Sequence, residues 1–230
     1  MFHKPLVIGH RGAMGHETEN SLASVQKALD LDVDMIEIDV FRIRSGEIVV
    51  FHDARVDRLT NGVGEIERYN VVQAKNLKLD SVHRIPLLQD VLKLIDKKTR
   101  LNIELKGANT SDRVNFIIEN YIENQGWTRD NFLISSFNWD ELRQFRKFNK
   151  EIALAVLTEG NPLDAIPIAE ELGAEAINPY YQTIDKEILN QIHEAGFKVY
   201  TWTVNDPADI GSLKKIGVDG IISDFPERVK

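Results

Sequence analysis

The chain has 230 residues, of which 43% are hydrophobic, and it carries a formal net charge of -8 and no cysteine. The acidic balance and the absence of a basic stripe argue against nucleic-acid binding, and the lack of cysteine excludes disulfides and thiolate metal sites. No basic start leads into an apolar leader, and no apolar run reaches the roughly 18 residues of a membrane helix. We therefore expect a cytoplasmic protein without membrane insertion.

Short apolar runs typical of strands alternate with stretches of helical periodicity. The first run, 6–9, precedes a helical stretch in which Asn20 can cap the first turn. Further strand-like runs cover 35–41, 100–106, 131–137, 152–158, 174–180, 198–204 and 219–225. Helical stretches include 111–125, 138–149, 163–172, 185–195 and 206–215. Eight strands with intervening helices in one domain, 1–230, predict an α/β fold, namely a closed (β/α)8 barrel of the TIM type.

Residues 54–86 interrupt this alternation. They lie between the strand-like run 49–53 and the helical run 87–95, and they are rich in charge and turn-forming residues. The pattern predicts a small inserted segment after the second strand, over the active-site end of the barrel. Such a segment is either a solvated excursion or a lid that faces the substrate, and the sequence leaves both open.

Polar side chains interrupt the second and third barrel strands. Glu37 and Asp39 alternate with aliphatic residues in the second strand, and Asn102, Glu104 and Lys106 do the same in the third. Because strand side chains alternate, both sets are expected to face inward at the barrel mouth, where barrel enzymes have their active sites. Three carboxylates in one cavity predict a site for a hard divalent cation, Mg²⁺ or Ca²⁺. Each acid alone could instead be a solvated strand end or a lysine-paired group.

Two histidines end strand-like runs beside these acids. His10 and His52 can divide the roles of acid and base at neutral pH. Arg11 can hold two phosphate oxygens through parallel hydrogen bonds, and Lys106 adds a point charge, so the pattern predicts a phosphate site. Structural or surface roles are expected for His3, His83 and His193, while His16 stays open.

Several stretches together resemble the glycerophosphodiester phosphodiesterase family. They are GHRG (9–12), ENS (19–21), IEIDV (36–40), VVFHD (49–53), DRLTNG (57–62), LNIELK (101–106), YTWTVN (200–205) and GVDGIISDFP (217–226). Each stretch is weak alone, but the ordered set spans nearly the whole chain. The resemblance implies a TIM-type barrel with a small insertion after the second strand. It also implies metal-dependent hydrolysis of glycerophosphodiesters to sn-glycerol 3-phosphate and an alcohol.

The resemblance also implies roles for individual residues. Acid-base catalysis falls to His10 and His52, and we expect His10 to be the base and His52 the acid. The remaining roles are metal ligation by Glu37, Asp39 and Glu104, phosphate contacts by Arg11 and Lys106, and a glycerol-facing ring at Trp202. Glu19 and Asn20 are expected to support the site, although Thr18 stands where the family usually has proline, which leaves the role of Glu19 less defined.

The route of hydrolysis and two other functions stay open at this point. The attacking oxygen is either water or the glycerol hydroxyl next to the phosphate, and the second route passes through a cyclic phosphate. A metal-dependent barrel lyase or aldolase could use the three carboxylates to stabilise an enolate, but it would not need two histidines beside an arginine of phosphate-binding type. A non-catalytic phosphodiester-binding module would have no use for the histidine pair. Head-group preference, native metal and oligomeric state are not predicted.

Overall fold

Eight parallel strands close into a barrel in the computed structural model of the chain, which describes residues 4–230; His3 lies outside the described residues. The barrel strands are β1 (Leu6–Gly9), β2 (Met35–Arg42), β4 (Arg100–Leu105), β5 (Phe132–Ser136), β6 (Ala153–Thr158), β7 (Ala176–Pro179), β8 (Lys198–Thr201) and β9 (Gly220–Ser223), with β3 (Ile48–Val50) outside the ring. They pair in the order β1-β9-β8-β7-β6-β5-β4-β2, and β1 also pairs with β2. The predicted (β/α)8 barrel is confirmed.

Helices cover the outside of this barrel. They are α1 (Leu22–Asp30), α3 (Leu88–Ile95), α4 (Ser111–Gln125), α5 (Trp139–Phe148), α6 (Ile166–Leu172), α7 (Lys186–Glu194) and α8 (Pro207–Ile216), whereas the short α2 (Val71–Asn76) lies in the segment between β3 and α3. Their apolar faces pack on the outward side chains of the strands in one large core that includes Val25, Leu142 and Ile192. Within residues 4–230, no helix has the length and apolar character that crossing a membrane requires.

The start of α1 differs from the sequence prediction. The N-cap residue is Ser21, whose side chain accepts the Ser24 backbone N–H, and the predicted cap Asn20 is wrong. Asn20 has a φ of 56°, in the left-handed region that asparagine tolerates better than most residues. This conformation turns the Asn20 amide away from the helix and toward β2, where it bonds Asp39.

The segment between β3 and α3 packs as a small satellite of the barrel. β3 pairs antiparallel with the end of β2, so the strand-like run around His52 extends a hairpin and does not enter the ring. Two 3-10 turns, Val56–Arg58 and Ile66–Arg68, and α2 follow it. Their apolar side chains form a second core with Phe41, Val49 and Phe51. The segment is thus held against one end of β2 by burial of its own apolar groups.

The pairing of β2 with β4 sets the position of the acidic side chains. Glu37 lies beside Asn102, and Asp39 lies beside Glu104, in the parallel register. These four residues are buried, and the alternating Ile36, Ile38, Leu101 and Ile103 belong to the core under the helices. The polar set therefore faces the inside of the barrel, in agreement with strand alternation.

At the opposite end of the barrel a carboxylate bridges three strands. Glu175 accepts hydrogen bonds from Arg100 at 2.7 and 3.1 Å and from the Tyr200 hydroxyl at 2.8 Å. Burial alone would raise the pKa of Glu175, but the hydrogen bonds and charge of Arg100 outweigh it and the pKa lies below its usual value. A carboxyl with a lowered pKa stabilises the fold above its unfolded pKa, and this contribution is lost as the pH falls through the folded value.

We expect Glu175→Gln to lower the free energy of unfolding at pH 7 by about 1–2 kcal/mol, because Arg100 and Tyr200 lose a charged acceptor. The difference from the unmodified chain should shrink as the pH falls below about 4, the ordinary pKa of a glutamate. Urea unfolding at pH 7 and at pH 3.5 measures both values. The matched control is Glu171→Gln, which removes an exposed partner of Arg143 and should have a smaller effect. An equal loss at both pH values for Glu175→Gln would contradict the expectation.

Candidate active site

A cavity of about 140 Å³ opens at the carboxyl ends of the barrel strands. Its wall includes these sequence-predicted site residues: His10, Arg11, Glu37, His52, Glu104, Lys106 and Trp202. Asp39, Glu19 and Asn20 are buried next to the wall residues. Asp39 and Glu19 contact Arg11, and Asn20 bonds Asp39. The structure thus brings the predicted residues together from β1, β2, β4, β8 and the hairpin after β2.

The three acidic residues of β2 and β4 form one cluster. One carboxylate oxygen from each of Glu37, Asp39 and Glu104 lies within 4.8 Å of the other two. Burial, followed by the charges of Asp39 and Glu104, raises the pKa of Glu37 well above its usual value. Burial and the charge of Asp39 raise the pKa of Glu104 to about 7. A bound cation would stabilise these closely spaced carboxylates in their charged form.

Each of the two predicted catalytic histidines is held by a carboxylate. His10 Nδ1 lies 2.6 Å from Asp224 Oδ1, and His52 Nδ1 lies 2.6 Å from Asp53 Oδ1. Asp224 is itself fixed by the Asn205 side-chain amide at 2.7 Å. Because Nδ1 is occupied in both rings, Nε2 is the atom left for proton transfer in the cavity.

The electrostatic surroundings of His52 differ from those of an exposed imidazole. Burial is the largest effect and lowers the pKa of His52, the charges of Arg11 and Lys106 lower it further, and Asp39 and Asp53 act in the opposite direction. Lys106 Nζ lies 3.4 Å from His52 Nε2 and 2.8 Å from Glu104 Oε1. Lys106 therefore links the acidic cluster to this histidine.

The turn after β1 places Arg11 between the acidic residues. Arg11 has a φ of 49°, and its backbone N–H donates to Glu37 Oε2 at 2.8 Å. The next residue, Gly12, has a φ of 86°, and a Cβ there would come within 2.5 Å of the Ser24 backbone. Glycine is therefore required for this turn to pack on α1. The Arg11 side chain donates to Glu19 at 2.7 Å and its Nε lies 3.3 Å from Asp39.

Glu19 and Asn20 fix Arg11 and Asp39 through hydrogen bonds and ion pairs. The Asn20 side chain donates to Asp39 Oδ2 at 2.8 Å and accepts the Asp39 backbone N–H at 3.2 Å. Glu19 lies outside the three-carboxylate cluster and instead pairs with Arg11 and with Arg58. Glu19 is thus placed to orient Arg11.

The sequence analysis assigned no role to three residues that hold the site together, namely Arg58, Asp53 and Asp224. Arg58 belongs to the inserted segment, and its guanidinium bonds Glu19 and Asp53 together. The Arg58 hydrogen bonds, the largest effect, lower the pKa of Asp53 to about 2. The only signal in the sequence was the position of Asp53 next to His52 and of Asp224 at a strand end.

Trp202 belongs to a group of aromatic rings at the cavity wall. Its indole N–H donates to the Asn178 carbonyl at 2.9 Å, which fixes the ring. The Trp202 ring lies 5.2 Å from Phe137 and 5.5 Å from Tyr180, measured between ring centroids. The cavity wall thus combines charged groups with aromatic rings, and Lys106 Nζ lies 5.6 Å from the Phe137 ring centroid.

The cavity thus combines a cluster of three carboxylates, two histidines and two cationic side chains. The sequence as a whole matches a known protein family. A model of the Glycerophosphoryl diester phosphodiesterase family matches residues 10–228. The chain belongs to this family. The resemblance noted from the short motifs is confirmed.

Relatives in the glycerophosphoryl diester phosphodiesterase family are similar over nearly their whole length. The chain is 32% identical to the glycerophosphodiester phosphodiesterase of Caldanaerobacter subterraneus subsp. tengcongensis, over 97% of this chain and 96% of the relative. It is 30% identical to that of Bacillus altitudinis, over 96% of this chain and 95% of the relative. A solved Oleispira antarctica phosphodiesterase in complex with the product sn-glycerol-3-phosphate has a TM-score of 0.89 and 29% identity, over 98% and 95% of the two chains.

Thr18, where the resemblance led us to expect proline, contacts the inserted segment. Its hydroxyl donates to Asp80 Oδ2 at 2.9 Å. The neighbouring Glu19 keeps its two arginine partners. A hydrogen bond to the insertion thus restrains the loop that a proline would stiffen through its fixed φ.

Proposed function

We propose that the chain hydrolyses glycerophosphodiesters to sn-glycerol 3-phosphate and an alcohol, with a divalent cation and two histidines as the catalytic groups. The convergence of the three-carboxylate cluster with two carboxylate-held histidines on one cavity carries this proposal. Family membership and the similarity to a phosphodiesterase solved with sn-glycerol-3-phosphate support it. A cytoplasmic location and a small-molecule substrate remain our predictions from the sequence.

The acidic cluster fits a hard divalent cation, and we propose Mg²⁺ or Ca²⁺ held by Glu37, Asp39 and Glu104. Glu37 Oε1 is buried and has no hydrogen-bond partner among residues 4–230, so this oxygen is available to bind a cation. Oxygen donors without cysteine or histidine in the cluster favour Mg²⁺ or Ca²⁺ over zinc. When bound, the cation would polarise a phosphoryl oxygen and offset developing negative charge.

The side chains on the cavity wall have complementary tasks in this proposal. Arg11 and Lys106 stabilise charge on the non-bridging phosphate oxygens, which grows in the transition state. His10 Nε2 removes the proton from the attacking oxygen, and Asp224 stabilises the imidazolium that forms. His52 Nε2 protonates the leaving alkoxide. Its lowered pKa makes the protonated ring a stronger donor, at the cost of a smaller protonated fraction at pH 7.

Removal of divalent metal is expected to abolish turnover of glycerophosphocholine, and added Mg²⁺ or Ca²⁺ should restore it. The measurement is release of sn-glycerol 3-phosphate before and after dialysis against a chelator. The melting temperature gives a second readout, since a ligand at 100 times its Kd stabilises the folded state by about 2.7 kcal/mol. Full activity in excess chelator would remove the metal from the mechanism.

The same experiment separates the proposed enzyme from the other two functions. A binding module would be stabilised by the diester without turning it over. A lyase or aldolase would turn over oxo-acid substrates instead, and family membership gives that alternative no support. Turnover of the diester after metal is added back therefore identifies the hydrolase.

A further inference from the structure

The carboxylates that hold the two proposed catalytic histidines are themselves held in different ways. Asp224, the partner of His10, follows barrel strand β9, accepts the Asn205 side-chain amide at 2.7 Å and donates its backbone N–H to Asn205 Oδ1 at 2.9 Å. Asp53, the partner of His52, lies in a bend beyond the hairpin strand β3. No barrel strand carries Asp53, so its position depends on contacts with other parts of the chain.

Arg58 supplies such a contact. Its Nε donates to Asp53 Oδ2 at 2.5 Å, and its Nη2 donates to Asp53 Oδ1 at 3.0 Å. Two parallel bonds to one carboxylate fix the plane of that carboxylate as well as its distance. Within the part of the chain that the structure describes, the Asp53 carboxylate has no hydrogen-bond partners other than Arg58 and His52. Without Arg58, Asp53 could turn, and the His52 ring would turn with it.

The same contact determines which nitrogen of His52 carries the transferable proton. The Arg58 hydrogen bonds, the largest effect, lower the pKa of Asp53 to about 2, so Asp53 is an anion at neutral pH. An anionic carboxylate can only accept a hydrogen bond, so the proton between His52 Nδ1 and Asp53 Oδ1 belongs to Nδ1. The proton that His52 can give to a substrate is therefore the one on Nε2.

The other side of the Arg58 guanidinium is anchored on a buried group. Nη1 and Nη2 donate to Glu19 Oε2 and Oε1 at 2.9 and 2.8 Å, and Glu19 is 6% exposed. Glu19 also accepts a hydrogen bond from Arg11 at 2.7 Å, and Arg11 Nε lies 3.3 Å from Asp39. Removal of Arg58 therefore takes one of two partners from Asp53, whereas Arg11 keeps both of its own.

Packing within the inserted segment sets the position of Arg58. The residue ends the 3-10 turn Val56–Arg58, and Val56 is buried in the second core. The Val56 backbone N–H donates to the Gly64 carbonyl at 2.9 Å, and the Thr60 hydroxyl donates to the Val56 carbonyl at 2.8 Å. The inserted segment thus presents the guanidinium to the barrel mouth from a turn that its own core holds in place.

We infer that Arg58 is a positioning residue, which holds the His52 ring through Asp53 in the orientation that delivers the Nε2 proton to the leaving alkoxide. The inference rests on the proposed hydrolase function and on its assignment of His52 as the acid. The bond between phosphorus and the head-group oxygen breaks, the attacking oxygen bonds to phosphorus, and the Nε2 proton passes to the departing oxygen. The inserted segment then has a part in catalysis that is neither that of a solvated excursion nor that of a lid.

The test compares two diesters that differ in their need for an acid. Glycerophosphocholine releases a strongly basic alkoxide, which must be protonated as it leaves, whereas the 4-nitrophenyl ester of glycerol 3-phosphate releases a phenolate that leaves without a proton. We expect Arg58→Gln to lower kcat for glycerophosphocholine about tenfold, because the acid is misplaced, and to change kcat for the nitrophenyl diester little. Both rates are measured on one protein sample, so a smaller folded fraction would lower the two equally.

Two further variants calibrate this comparison. His52→Ala removes the acid itself and should show the same preference, with a larger loss on glycerophosphocholine. Arg55→Gln removes an exposed arginine of the same segment, whose partner Asp57 is 3.2 Å away, and should leave both rates unchanged. Equal losses on the two diesters for Arg58→Gln, or no loss on either, would overturn the positioning role and leave the hydrolase intact. No turnover of either diester by the metal-loaded unmodified chain would overturn the hydrolase and the positioning role together.

A double-mutant cycle tests the path through Asp53. In the Asp53→Asn background, Arg58→Gln should lower kcat for glycerophosphocholine little further, because both substitutions break the same chain of contacts to His52. Independent losses that multiply in the double variant would mean that Arg58 acts by a route other than Asp53, and they would overturn the inference.

Discussion

His10→Ala and His52→Ala are each expected to lower kcat for glycerophosphocholine about a hundredfold or more, the usual range for loss of a general acid or base. Both rings lie on the cavity wall, and both have Nδ1 bound to a carboxylate, so each Nε2 is positioned to move a proton. Steady-state release of sn-glycerol 3-phosphate at saturating metal measures the loss. KM should change much less than kcat, because neither imidazole is the main contact to the phosphate.

His193→Ala is the matched control for these variants. His193 lies on α7 and also pairs with an aspartate, Asp219, at 2.8 Å, but it does not line the cavity. Its loss should leave kcat unchanged. Circular dichroism and the melting temperature establish that all three variants fold. A folded His10 or His52 variant with near-normal kcat would exclude that histidine from proton transfer.

The barrel and the acidic cluster could be predicted from the sequence because both arise from short-range patterns. Strand and helix alternate within tens of residues, and side chains alternate every second residue along β2 and β4. Glu37 and Asp39 therefore had to share a face, and Glu104 joined them once β2 and β4 became neighbours in the ring. The hairpin strand β3 interrupts the chain between them without entering the barrel.

The partners of the histidines depend on contacts that no local pattern reveals. Asp224 and His10 are 214 residues apart, and they meet because β9 closes the ring beside β1. Arg58 reaches Glu19 and Asp53 only after the inserted segment folds back over the hairpin. In the same way, Asn20 was predicted to cap α1 from local sequence, but its hydrogen bonds to Asp39 in β2 determine its actual position.

Charged contacts connect the inserted segment to His52 and Arg11, for which we propose roles in catalysis and phosphate binding. Arg58 pairs with Asp53, which holds His52, and with Glu19, which holds Arg11. The Arg58–Asp53 pair is exposed, but the pairs made by Glu19 and by His52 are partly buried, where charge-assisted hydrogen bonds are stronger than on an open surface. The orientation of the His52 ring and of the Arg11 side chain thus depends on one guanidinium supplied by residues 54–86.

Glu37→Gln is expected to separate activity from stability. The variant keeps the shape of the side chain and loses the anion, so metal affinity should fall and kcat should drop by about two orders of magnitude or more, as expected for loss of a metal ligand. Isothermal titration with Mg²⁺ or Ca²⁺ measures the affinity directly. Retention of metal binding and turnover at the level of the unmodified chain would exclude Glu37 as a ligand.

Without metal, the same substitution should raise the melting temperature. Burial and the charges of Asp39 and Glu104 raise the pKa of Glu37 well above its usual value, so the carboxyl costs stability as the pH rises above the unfolded value of about 4.3. The gain from Glu37→Gln should therefore be absent near pH 4 and should increase toward pH 8. Glu141→Gln is the contrasting control, since Glu141 accepts three backbone N–H bonds at the start of α4 and its loss should lower the melting temperature. A metal-free Glu37→Gln protein that is less stable at pH 8 than the metal-free unmodified chain would contradict this expectation. It would mean that the contacts of Glu37 with Arg11 already offset the cost of its buried charge.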